Sequence, residues 1–153
     1  MEIKTESVPA YTLAKYNGGS AQDSLYVYDD YTSTGTLKEY HQKDGQHVYL
    51  GYAYNDNYLV WKGIGTLTAP ISFTESNIFD PDALYTQLRG NYTGQNDDLM
   101  LTVYSYYPLF GIKSITEPNG YITYYDVEHG FLRNIIDNRQ RTLQHFDYNY
   151  RIR

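Results

Sequence analysis

Alternation with a period of two dominates this sequence, and Gly, Asn, Asp and Pro cut it at short intervals. That period places successive side chains on opposite faces of an extended strand. Turn formers between such runs make hairpins rather than helices. The expected fold class is therefore mainly β: a twisted antiparallel sheet of β-hairpins with one short α-helix. At 153 residues the chain is long enough to bury a real core, and a single domain is expected.

Two hairpins stand out. In LKEYHQKDGQHVYLGY, residues 37–52, Asp44-Gly45 suits the two central positions of a type I′ turn, both of which need positive φ. The implied register pairs Lys43 with Gln46, Tyr40 with Tyr49 and Leu37 with Tyr52. Leu37, Val48, Leu50 and Tyr52 then share one face, and Tyr40, Gln42, His47 and Tyr49 the other. In SITEPNGYITYY, residues 114–125, Pro118 supplies the fixed φ of the first turn position and Gly120 the left-handed residue that closes a three-residue loop. Between the hairpins, Asp80 reads as an N-cap, Pro81 as the first helical residue and Gly90 as the stop, giving a helix of about two turns. The polar run 91–98 reads as a loop, and Leu99, Leu101 and Val103 begin a strand continuing through Tyr104 and Tyr106.

Composition narrows the function. The chain holds 20 Tyr against one Trp and two Met, so its apolar surface is mostly ring with a hydroxyl that needs water or a partner. A net charge of −6 argues against nucleic acid, whose binding depends on clustered Lys and Arg. Arg133, Arg139, Arg141, Arg151 and Arg153 are interrupted by Asp137 and Asp147 and read as a solvated edge. With no cysteine, disulfides and thiolate metal sites are excluded. Neither a signal peptide nor a membrane-spanning run is visible, and localisation does not follow from the residues.

Spacing also hints at repetition. Tyr28 lies seven residues before Gly35 as Tyr104 does before Gly111, and Gly111 and Gly130 are nineteen apart. Each unit reads as aromatic strand, Gly turn, hydrophobic strand, turn, aromatic strand, and such units must stack to bury their faces.

The run from Tyr104 to Asp126, with Gly111, Pro118-Asn119-Gly120 and Tyr124-Tyr125, then Gly130, Leu132, Arg133, Asp137 and Phe146-Asp147-Tyr148-Asn149-Tyr150, resembles the C-terminal end of Rhs/YD-repeat proteins. The likeness is greatest to the large secreted or cell-surface forms found in Bacteroidetes. It covers Leu99 to Tyr150; upstream, YVYDDYTSTGTLKEY resembles a divergent unit. The resemblance implies residues 1–98 as a divergent repeat plus the short helix, and 99–153 as the C-terminal YD-repeat hairpins. It implies a structural, non-enzymatic scaffold: Tyr-Asp hairpins spiralling into a β-shell for encapsulation, display or surface interaction, with tyrosines laddering between strands. Partners would be upstream repeats of a longer chain or further copies of this one, with glycans or another protein as further candidates. The turn residues Gly35, Gly45, Gly111, Gly120 and Gly130 and the rings of Tyr26, Tyr28, Tyr104, Tyr106, Tyr125, Tyr148 and Tyr150 are expected to hold it. Gln140 stands where the pattern carries Gly, which weighs against a positive-φ turn there.

Chemical sites read as unpromising. In the register above, His41 and His47 point to opposite faces and cannot share a metal; His129 and His145 lack ligand spacing. The adjacent pairs Asp29-Asp30 and Asp97-Asp98 diverge on a strand and cannot straddle a sugar. No nucleophile-elbow or phosphate-binding loop occurs, and Gly18-Gly19 and Gly63-Ile64-Gly65 read as turns or bulges. Asn91-Tyr92-Thr93 matches the glycosylation sequon. No catalytic, cofactor or metal residue is expected. The rival function is carbohydrate binding by an adhesin-like module, with Tyr52, Tyr54, Tyr58 and Trp61 stacking their rings on sugars.

Overall fold

The computed structural model describes residues 12–14, 24–43, 45–92 and 98–148. Among the described residues, ten strands form one sheet in strict chain order, joined by antiparallel pairings and not closed on itself. They are β1 (Thr12–Ala14), β2 (Ser24–Tyr31), β3 (Leu37–Gln42), β4 (His47–Ala53), β5 (Tyr58–Gly65), β6 (Met100–Tyr107), β7 (Gly111–Thr116), β8 (Ile122–Glu128), β9 (Phe131–Asp137) and β10 (Thr142–His145). The mainly β expectation is what the chain adopts. Gly18-Gly19, Asp44, Thr93, Asp97, Tyr150, Arg151 and Arg153 lie outside the described residues. Among the described residues no helix is long and apolar enough to cross a membrane.

One turn recurs at three places. In Thr32–Thr36, Glu117–Tyr121 and Asp137–Arg141, the first amide donates to the fifth carbonyl, and the fourth amide donates back to the first carbonyl. The fourth residue has positive φ each time: 88° at Gly35, 79° at Gly120 and 62° at Gln140. Gln140 thus enters the left-handed region despite its side chain, contrary to the sequence expectation. Asp137 stabilises the strained loop, accepting from the Arg139 and Arg141 amides at 2.9 Å each and from Arg141 Nε at 2.7 Å. The structural equivalent of Gly35 is therefore Gly120, not Gly111. Gly111 (φ 102°) follows Leu109 (φ 70°), and Gly130 (φ 83°) follows His129 (φ 52°), in the turns at the opposite ends of the hairpins.

The β3–β4 hairpin departs from the sequence reading by one residue. Glu39 pairs with Tyr49, Tyr40 with Val48 and His41 with His47. Gly45 does not have positive φ; its amide donates to the Gln42 carbonyl at 2.8 Å, and a Cβ there would lie 2.9 Å from that of Gln42. The type I′ turn is thus replaced by a loop one residue longer. A one-residue shift moves every side chain of a strand to the other face relative to its partner. Tyr40 and Val48 now share a face, in a row running Tyr28, Tyr40, Val48, Ile64, Met100 across five strands. The expected tyrosine ladder is not continuous: ring pairs form between Tyr26 and Tyr40, Tyr58 and Tyr106, and Phe131 and Tyr148.

A 3-10 helix, Glu75–Phe79, leads into α1, Pro81–Tyr92. Asp80 caps α1 as expected, its Oδ1 accepting from the amides of Asp82 and Ala83. Gly90 does not stop the helix, which runs on to Tyr92. Ile78, Leu84, Leu88 and Leu99 are fully buried with Val60, Trp61, Leu101 and Val103 of β5 and β6. Each such aliphatic side chain stabilises by about 2 kcal/mol. A bulge explains why the neighbours Val60 and Trp61 are both buried: Gly51 pairs with Trp61 but Tyr52 with Leu59, leaving Val60 as the extra residue. Gly63 and Gly65 belong to β5 rather than to a turn, and Gly63 is needed because a Cβ would press on Leu99 at 2.8 Å.

Candidate functional site

The four rings proposed for sugar stacking fall into two pairs, Tyr52 with Trp61 along one cleft and Tyr54 with Tyr58. Trp61 is 6% exposed and lies over Gly51, its cross-strand partner, as part of the core. So covered, it contributes to the lining of a cleft rather than standing as an exposed stacking ring. Its indole N–H has no hydrogen-bond partner among the described residues. Tyr52 is half-buried and donates from its hydroxyl to the Leu37 carbonyl at 2.9 Å. Tyr54 and Tyr58 meet edge to face, and both pack on Phe79. Tyr58 also meets Tyr106, whose hydroxyl donates to the Leu59 carbonyl at 2.6 Å; burial pushes that phenol up to about 12. Tyr58 and Tyr106 are thus held by ring contacts, whereas Tyr54 stays 38% exposed.

Trp61 helps to line a cleft of about 500 Å³, together with Tyr49, Tyr52, Leu67, Ile71 and Phe73. Lys38, Glu39 and Asp56 also line it. Asp56 accepts from the Thr32 and Thr34 hydroxyls, which hold its carboxyl below the usual range. Burial raises the Tyr49 and Tyr52 phenols.

The histidines are arranged differently from the sequence expectation. Because His41 and His47 are directly opposed across β3 and β4, their rings stack with centroids 4.7 Å apart and planes at 26°. The two rings therefore share a face, contrary to the expectation, because the register is one residue from the one expected. Asp29 joins them from β2, its Oδ2 lying 2.7 Å from His41 Nδ1 and 3.8 Å from His47 Nδ1. Glu39 Oε1 is 2.7 Å from the same His47 nitrogen. Asp29 reaches this face through a bulge: Tyr28 pairs with Tyr40 and Asp30 with Glu39, so Asp29 is the extra residue. Its neighbour Asp30 diverges, as expected, to a 2.8 Å pair with Lys38. His129 is exposed beside Glu128, and His145 bonds Asn134 and Asp147.

No protein-family model and no curated protein matches the chain.

Proposed function

We propose that the chain is a non-enzymatic structural scaffold, a stretch of β-sheet of the YD type that serves encapsulation, display or surface interaction. The observation that carries this reading is the recurrence of one turn, with the same two backbone hydrogen bonds and the same positive-φ position, at Thr32, Glu117 and Asp137. Recurring hairpins in strict chain order extend a sheet by addition, each unit burying its faces only against the next. Two further features support the reading. Among the described residues β1 and β10 each have one strand neighbour only, and β10 carries an exposed Leu143. The row from Tyr28 to Met100 offers a line of apolar side chains across five strands.

Unpaired edges are templates for strand addition, and a charge placed on one blocks it. Sedimentation of the purified chain over a concentration series should show reversible association, and Leu143→Lys should reduce it. A chain that stays monomeric throughout would refute the scaffold. So would turnover of a glycan, or saturable sugar binding abolished by Tyr54→Ala, which would revive the enzyme and adhesin readings respectively.

A further inference from the structure

We propose that Asp29, His41 and His47 form a binding site for one divalent transition-metal ion of the zinc type, with Glu39 as its fourth ligand. This stands apart from the scaffold reading. It rests on the β2 bulge and on the β3–β4 register, and either change of one residue would scatter the four groups.

Donor atoms of Asp29, His41 and His47 all lie within 4.8 Å of one another. Zinc bonds of about 2.0–2.2 Å place neighbouring tetrahedral ligands about 3.4 Å apart. The separations of 2.7 and 3.8 Å from Asp29 Oδ2 bracket that value, whereas Glu39, 2.7 Å from His47, stands outside the three-residue cluster and would have to swing in as the fourth ligand. Side-chain rotations can therefore close the site without moving the strands. Two carboxylates and two neutral imidazoles carry a charge of −2, which a divalent ion cancels. A neutral imidazole that ligates an ion through Nδ1 carries its one proton on Nε2.

Ligand chemistry selects the ion. Imidazole with carboxylate suits zinc, cobalt, nickel and copper, whereas calcium takes six to eight oxygens, far more than two carboxylates supply. The side chains of Asp29, Glu39 and His41 are about a quarter exposed, and that of His47 is 44% exposed. The cluster is thus partly covered yet reachable from solvent. The ligands come from β2, β3 and β4, so a bound ion would cross-link three neighbouring strands.

The full chain should bind one Zn²⁺ by titration calorimetry, with Ca²⁺ in excess failing to compete. Asp29→Asn, His41→Gln and His47→Gln should each weaken binding at least tenfold, Glu39→Gln about tenfold, and His129→Gln not at all. Having no cysteine, the chain offers no thiolate to compete for the ion. Imidazole nitrogen NMR of the unsubstituted chain decides the matter even if a variant fails to fold. Zn²⁺ should shift the His41 and His47 resonances and leave those of His129 and His145. Shifts at the latter pair instead, no binding at millimolar Zn²⁺, or binding unchanged in His41→Gln/His47→Gln would overturn the proposal.

Discussion

Gly51→Ala is the sharpest test of how the sheet and its core fit together. A Cβ at Gly51 would lie 2.0 Å from Trp61 Nε1, 2.1 Å from Cε2 and 2.7 Å from Cδ1, where real Cβ contacts do not fall below 3.0 Å. An indole is rigid, and Trp61 is 6% exposed beside Val103, so the ring cannot slide aside by the ångström required without disturbing β6. If β4 yields instead, overpacking costs about 1–3 kcal/mol. If the ring leaves the core, most of its roughly 200 Å² of buried surface is lost, at about 25 cal/mol per Å², or about 5 kcal/mol. The expected loss is therefore at least about 2 kcal/mol. Urea unfolding followed by circular dichroism measures it. Because Trp61 is the only tryptophan, its fluorescence reports where the ring goes, with a red-shifted emission marking expulsion. A variant that unfolds within about 0.5 kcal/mol of the parent, with unchanged emission, would show that Trp61 does not cover Gly51.

Gly120→Val should cost about 2–3 kcal/mol, because a β-branched residue is strained at φ 79°, although its Cβ would meet only the Tyr85 hydroxyl at 3.6 Å. Gln140→Gly should gain about 1 kcal/mol in the matching turn, where a side chain now sits at φ 62°; urea midpoints check both. Tyr106, raised by burial from 10 to about 12, favours folding fully below pH 10 and loses that contribution as pH rises towards 12. Its partly covered hydroxyl reduces the effect to about 1 kcal/mol, and Tyr106→Phe should flatten stability over that range in alkaline melts. Asp137 runs the other way. The Arg141 amide, followed by its guanidinium and the Arg139 amide, holds its carboxyl below the usual range, so its contribution is present above about pH 4 and lost as pH falls through the folded value. Asp137→Asn should show a shallower acid loss in thermal melts at low pH.

Where a signal is local, residue order was enough. The Asp80 cap needs only an oxygen two and three residues before the amides it serves, and the Pro118-Asn119-Gly120 turn is closed by atoms within five residues. The length of α1 was less legible: burial of Leu84 and Leu88 carries the helix past Gly90, a residue that by itself weakens a helix by only about 1 kcal/mol. Trp61 was expected with Tyr52, Tyr54 and Tyr58 as a stacking ring, whereas the Gly51 opposite it and the Val60 bulge draw it inward.

Period two and turn chemistry determined that this chain becomes an antiparallel sheet of hairpins, since both act between residues close in sequence. Register was decided by the assembled sheet. β3 is gripped between β2 and β4, and β4 is held in turn by seven paired positions along β5. A single-residue slip in the Gln42–Gly45 loop costs little locally, whereas misplacing every side chain on two flanking strands costs much more. That difference sets His41 against His47, and with it the place where a metal ion can bind.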